Sequence, residues 1–163
     1  MNSSESECEQ GSGMNKDELK DIKDRLIRAL ARREHSRYEL KVKMVLKSFG
    51  EHAIERVLDE LELEGVVSDA RFAEAYCYHR RSRGFGPTRI ASELRERQVS
   101  EVLVDDNLDE TEHHWYESAA YQREKKFGKG RVADFTQKAR QMRFLMQKGF
   151  NHDHISYAIK KVS

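Results

Sequence analysis

Two stretches, SRYELKVKMVLKSFGEHAIERVL over residues 36–58 and GPTRIASELRERQVSEVLVDDNL over residues 86–108, carry one apolar pattern. Leu40 meets Ile90, Met44 meets Leu94, Phe49 meets Val99, Ile54 meets Val104 and Leu58 meets Leu108. Upstream, Ile22 and Leu26 fall on Phe72 and Tyr76 at the same offset. A third copy follows, in which Met44 matches Leu145, Phe49 matches Phe150, Ile54 matches Ile155 and Leu58 matches Ile159. Leu40 fails there, landing on Gln141, and the connection before this copy is longer. Recurrence at a fixed long period is the signature of a repeat architecture. The chain therefore reads as three degenerate copies.

Each copy reads as three helices. Ile22, Leu26 and Leu30 recur four residues apart and make one apolar stripe. Ser36 with Glu39 forms a capping box for the next helix, the hydroxyl accepting from the N3 amide while the carboxylate reaches back. A third helix runs from about Glu51 and stops at Gly65, a residue suited to the left-handed position. In the second copy Ser68 is the N-cap, Gly84 the stop, and Gly86-Pro87 the restart, because proline at the first helical position gives up no bond. Ser100 caps a short helix that contains Val104, a segment with some strand character. In the third copy Gly149 ends the middle helix and Asn151 caps the last.

The expected fold is all-α: three tandem three-helix repeats over residues 16–67, 68–110 and 111–163, forming an elongated curved array. One three-helix unit buries little alone, and stacking extends the core. Residues 1–15 read as a disordered acidic, Ser-rich tail with no apolar periodicity.

Composition agrees. Charged residues make up 36% of the 163, against roughly 25% in a typical soluble protein. There is a single proline, and Glu, Lys, Arg, Ala and Leu dominate long stretches, which favours helices. Cys8 and Cys77 make neither a disulfide framework nor a zinc motif. No apolar run approaches the roughly 20 residues that span a bilayer. A cytoplasmic protein, monomeric and without membrane contact, is the expectation.

Net charge is only +1, yet it is organised. Residues 25–47 are net +6, residues 50–70 net −6, residues 71–97 net +4, residues 98–117 net −7, and residues 118–163 net +8. The first two helices of each early copy are basic and the third acidic. In register, basic helices would line one side of the array and face an acidic protein surface or a phosphate backbone. The competing reading is a solvated surface that neutralises itself between neighbouring helices.

Other constellations point nowhere. His113-His114 and His152-x-His154 lack the further ligands of a metal site and read as surface or cap histidines. Gly84-Phe85-Gly86 lacks the lysine and preceding strand of a phosphate loop. Trp115 reads as a core residue. No nucleophile setting is present, so a binding protein without a cofactor is expected, not an enzyme.

Four motifs carry a resemblance. Arg33-Glu34-His35-Ser36-Arg37-Tyr38-Glu39-Leu40 is similar to R-x-H-S-x-x-E-L. Gly65 to Ala73 is similar to G-x-x-x-D-x-R-F-A, and Arg83 to Pro87 with Ile90, Glu93 and Leu94 to G-x-G-P-x-x-I-x-x-E-L. Arg143-Phe144-Leu145 with Lys148-Gly149-Phe150 is similar to R-F-L-x-x-R-G-F. Together these resemble the RecX family over about residues 19–162. Ser48 and Gln98 depart from it, standing where the family commonly has glycine, so those helix ends are expected to need other caps.

The resemblance implies a negative regulator of the RecA recombinase. Such a protein lies in the groove of the RecA–DNA filament and inhibits filament growth, ATP hydrolysis and strand exchange. It also implies weak, non-specific contact with single-stranded and double-stranded DNA. The residues expected to face RecA or DNA are Arg37, Lys41, Arg80, Arg81, Arg83, Arg89, Arg95, Arg97, Lys138, Arg140 and Arg143. The alternative is a helix-turn-helix-like DNA-binding protein acting independently of RecA, which the acidic helix from Glu51 to Glu64 argues against. On the regulator reading, replacing Arg89, Arg95 and Arg97 together by Glu removes inhibition and leaves the fold intact, as an ATP-hydrolysis assay with a melting control would report.

Overall fold

The computed structural model describes residues 15–162; residues 1–14 of the expected tail, Cys8 among them, lie outside the described residues, whereas Asn15 belongs to the fold as the N-cap of α1, its side chain accepting from the Asp17 amide. Nine helices run through them: α1 (Lys16–Leu30), α2 (Arg37–Val45), α3 (Glu51–Leu63), α4 (Asp69–Ser82), α5 (Pro87–Glu96), α6 (Glu101–Asn107), α7 (His113–Phe127), α8 (Phe135–Lys148) and α9 (His152–Lys160). They form three successive three-helix units: α1–α3, α4–α6 and α7–α9.

The aligned apolar positions explain the repeat. Met44, Leu94 and Leu145 are buried near the ends of the middle helices, and each carbonyl accepts from the amide of the repeat-matched residue: Phe49, Val99 and Phe150 at 3.3, 3.1 and 3.1 Å. One residue earlier, the amides of Ser48, Gln98 and Gly149 close onto Val45, Arg95 and Met146 at 2.9 Å each. This pair of bonds is the left-handed helix cap, whose flanking apolar residues pack together. The chain turns through it into the third helix, carrying Phe49, Val99 or Phe150 back toward the core.

Such a cap needs positive φ at the turning residue. Gly149 has φ 98°, but Ser48 and Gln98 adopt φ 65° and 55° themselves. The expectation that these ends find other caps is corrected. The two bonds and the apolar contact outweigh a left-handed penalty of roughly 1–2 kcal/mol per residue. Gly65 closes α3 in the same way, with φ 73°.

Helix starts follow the sequence closely. The Ser36–Glu39 capping box is complete, and Ser68, Ser100 and Asn151 cap α4, α6 and α9. Asn151 works with His154, whose Nδ1 accepts from the Asn151 amide at 3.3 Å while Nε2 lies 2.7 Å from the Glu110 carbonyl. His154 is thus a buried cap. Trp115 is 1% exposed, its indole N–H donating to the Asp109 carbonyl at 3.0 Å.

The cores are distributed unevenly. Unit 1 has its own, from Ile22 to Val67, whereas units 2 and 3 share one that runs from Phe72 to Ile159. Unit 1 joins unit 2 through polar bonds: the Arg37 amide donates to the Asp69 carboxylate at 2.8 Å, Arg71 meets Glu34 at 3.1 Å and Arg97 meets Glu39 at 3.3 Å.

Gln141, where the apolar pattern breaks, is 4% exposed and accepts from Arg123 Nε at 2.8 Å. Arg123 is itself 1% exposed and donates to the Gly128 and Gly130 carbonyls at 3.2 and 2.8 Å. The buried guanidinium holds the long α7–α8 connection against the core, satisfying carbonyls that no helix satisfies.

Replacing Ser48 or Gln98 by glycine relieves the left-handed strain while retaining both closing bonds. Each substitution is expected to stabilise by about 0.5–1 kcal/mol, read as a raised denaturant midpoint with unchanged slope; a lowered midpoint contradicts the cap as described.

Candidate partner-binding surface

The junction between units 2 and 3 is made by backbone on backbone. The Gly86 and Thr88 amides, at the open start of α5, donate to the Lys148 and Gly149 carbonyls at the end of α8, at 2.8 and 3.0 Å. A Cβ on Gly86 would stand 2.4 Å from the Gly149 carbonyl carbon, and one on Gly149 would stand 2.2 Å from Arg89 Cβ. Only glycines permit this approach, and it fixes everything around it.

Around the junction lies a cluster of cations and rings. The Phe85 ring is flanked by the Arg80 guanidinium at 3.7 Å, Arg89 at 4.6 Å and the Lys148 ammonium at 4.7 Å from its centroid. Lys126 and Lys148 also approach Phe144, at 5.6 and 5.8 Å, and Arg140 lies 5.8 Å from the Phe127 centroid. Such contacts hold guanidinium and ammonium groups at fixed positions on a surface. Burial, then the like charges of Arg89, Lys125, Arg80 and Lys126, hold the Lys148 amine below its ordinary pKa.

One carboxylate organises the cluster. Glu93 accepts from Arg80 Nε and Nη2 at 2.8 and 2.6 Å, from Tyr76 at 2.8 Å and from Arg89 at 3.1 Å. Burial opposes its charge, but the bonds from Arg80, Tyr76 and Arg89 prevail and hold it below the usual glutamate range. Burial and the same carboxylate push the Tyr76 hydroxyl up to about 12.

The eleven basic residues read from the sequence separate into two groups. Arg37 is held by Glu55, Asp59 and Glu62 at 2.6, 2.7 and 2.6 Å, and Lys41 by Glu55 at 2.8 Å. Arg95 pairs with Glu101 at 2.7 Å. Arg97 bonds Glu39 and the Glu93 carbonyl and lies 4.9 Å from the Tyr76 centroid. Arg89 also donates to the Gln147 carbonyl at 3.0 Å. The acidic third helices thus neutralise part of the basic stripe internally. Arg81, Arg83, Lys138 and Arg143 are exposed, and among the described residues none forms an ion pair, side-chain hydrogen bond or ring contact.

This corrects one expectation. Replacing Arg89, Arg95 and Arg97 together by Glu does not leave the fold untouched, because it sets new carboxylates against Glu93, Glu101 and Glu39 and removes a bond across the junction. Lys125, Lys126, Lys148, Phe85 and Phe144 are not among the residues that the sequence marks as facing a partner, although Phe85, Phe144 and Lys148 fall in its motifs. The spacing of Phe144 and Lys148 one helical turn apart is a signal for two of them; the approach of Phe85 to α8 has no local sequence signal.

Three models of three-helix domains match the chain in series: "RecX, first three-helix domain" over residues 23–61, the second over 68–108 and the third over 113–159. The chain belongs to the RecX family. The regulatory protein RecX of Halorhodospira halophila is 39% identical over 137 residues, 84% of this chain and 85% of the relative. That of Vibrio campbellii is 34% identical over 137 residues, 84% of this chain and 88% of the relative. The crystal structure of RecX from Lactobacillus salivarius superposes with a TM-score of 0.74 at 18% identity, over 90% of this chain and 97% of that one. At that identity the likeness speaks to fold.

RecX-family motif residues here divide the same way. Ser36 and Glu39 cap α2 while Arg33 holds the Glu39 carboxylate, Asp69 and Arg71 bind unit 1, and Gly86 and Gly149 make the second junction. Arg83 and Arg143 have no such structural role.

Glu93→Gln leaves Arg80, with 17% side-chain exposure, facing a neutral partner. The substitution is expected to destabilise by about 3 kcal/mol. The depressed carboxyl contributes stability above the ordinary value of 4.5 and loses it as pH falls through the lower folded value. Thermal melts at neutral pH and below that value should therefore show the wild-type advantage shrinking with acid; a pH-independent gap rejects Glu93 as the organising charge.

Proposed function

We propose that this protein is a negative regulator of the RecA recombinase that seats in the RecA–DNA filament groove and inhibits filament growth, ATP hydrolysis and strand exchange. The observation that carries the reading is RecX-family membership across all three units. The cation–aromatic face at the unit 2–3 junction supports it, because rings and guanidinium groups at fixed positions suit a protein interface.

In the proposed mechanism Arg80, Arg89 and Lys148 form a preorganised positive centre held by Phe85 and Glu93. Arg83, Arg143 and Lys125 are exposed and make no ion pair among the described residues, so they reach partner carboxylates without first breaking a bond. Long-range attraction speeds encounter and the aromatic face supplies the contact that persists. A rigid body wedged across adjacent RecA subunits opposes the subunit movements that filament growth and hydrolysis require.

The test is RecA-catalysed ATP hydrolysis on single-stranded DNA with this protein titrated in below equimolar amounts. Wild type is expected to suppress hydrolysis progressively, and Arg83→Glu/Lys125→Glu/Arg143→Glu to need at least ~10-fold more protein, as three lost rim contacts imply. Both should melt alike. No suppression by wild type at any ratio rejects the RecA reading; full potency in the variant rejects this face.

A further inference from the structure

Unit 1 carries a different positive surface. A groove of about 570 Å³ runs between α1 and α2, and its walls hold Arg25, Arg28, Arg32, Arg33, Lys43 and Lys47 with no carboxylate among the lining residues. Arg25 and Arg28 stand on the last turns of α1 with Arg32 in the turn just past its end, and Lys43 stands on the last turn of α2 with Lys47 in the turn just past its end. The two helix ends thus bring their cations to one groove.

Availability differs sharply along the walls. Arg25 pairs with Asp21 at 2.8 Å and lies 5.6 Å from the Phe49 centroid, and Arg33 pairs with Glu39 at 3.0 Å. Among the described residues Arg28 makes only a long bond of 3.4 Å to the Asp24 carbonyl. Arg32, Lys43 and Lys47 are exposed and, among the described residues, have no ion pair. The cations of α2 that face α3, Arg37 and Lys41, are neutralised there, so the charge left over is concentrated in this groove. Its base is formed by Ala29, Met44 and His35, which is 2% exposed with Nδ1 3.0 Å from the Arg33 carbonyl.

We infer that the α1–α2 groove of unit 1 holds a nucleic-acid phosphodiester backbone, with Arg32, Lys43 and Lys47 as the principal phosphate contacts and Arg28 beside them. The absence of any phenylalanine, tyrosine or tryptophan from the lining favours this over an acidic protein. A protein partner needs buried apolar or aromatic anchors, as the unit 2–3 face offers, whereas a phosphate strand needs only converging cations and no base recognition. The result is a division of labour: units 2 and 3 present the ringed protein-facing surface and unit 1 the sequence-independent DNA contact. The inference deepens the RecA–DNA reading proposed above, but its test is performed without RecA.

The experiment is fluorescence anisotropy of the full chain on a labelled oligothymidylate, between about 50 and 200 mM salt. Arg32→Gln/Lys43→Gln/Lys47→Gln is expected to bind at least ~10-fold more weakly and to flatten the salt dependence by about two, the slope that three single-strand phosphate contacts carry. Arg81→Gln/Arg83→Gln/Arg143→Gln serves as a charge-matched control and should retain the wild-type slope. These side chains are exposed and unpaired, so both variants should melt as wild type. Equal losses in the two variants, or an unchanged slope in the unit 1 variant, overturn the inference. So does a unit 1 variant that binds DNA normally but no longer suppresses RecA hydrolysis, which would give the groove to an acidic protein surface.

Discussion

The contact of Gly86 backbone on Gly149 backbone is the constraint on which much of the rest depends. Two helix ends with opposite deficits meet there: α5 begins with amides lacking carbonyls and α8 ends with carbonyls lacking amides. Each supplies what the other needs, and the dipoles align favourably. The closeness brings Arg89 to the Gln147 carbonyl and Phe85 beneath Lys148, so one geometric fact creates both a junction and a charged surface.

Unit 1 is attached on other terms. Its apolar core is separate, and its bonds to unit 2 run from the Arg37 amide, Glu34 and Glu39 to Asp69, Arg71 and Arg97. Charged bonds with partial exposure give less stability per contact than a shared core, but they fix direction through hydrogen-bond geometry. The resemblance motifs fall largely on these two joints, which is why so many of their charged residues are spent on architecture.

Much of the fold was legible in the sequence. The repeat, the capping serines, the proline start and the glycine stops each have a local physical cause, and those helix ends follow. Ser48 and Gln98 misled because a preference was read as a requirement: two backbone bonds and an apolar contact overrule the residue's own φ preference. Gln141 marked the break in the pattern correctly, but its partner Arg123 was invisible, since nothing local distinguishes a buried arginine from a solvated one. The candidate surface was legible only as charge. Net charge by segment found the basic helices, yet which cations are neutralised depends on the facing helix. Arg37 and Arg83 look alike in sequence and differ entirely in surroundings.

The uneven partition of the cores also orders events during synthesis. Unit 1 closes its core with Val67, so it can fold on the ribosome while the remainder is still being made. The other core runs on from Phe72 to Ile159, and the Gly86 and Thr88 amides at the start of α5 gain their carbonyl partners only once Lys148 and Gly149 have emerged. The nascent chain thus carries a finished first unit while the first amides of α5 wait for the end of α8, and a message truncated before α8 yields a protein whose defect lies upstream of the cut.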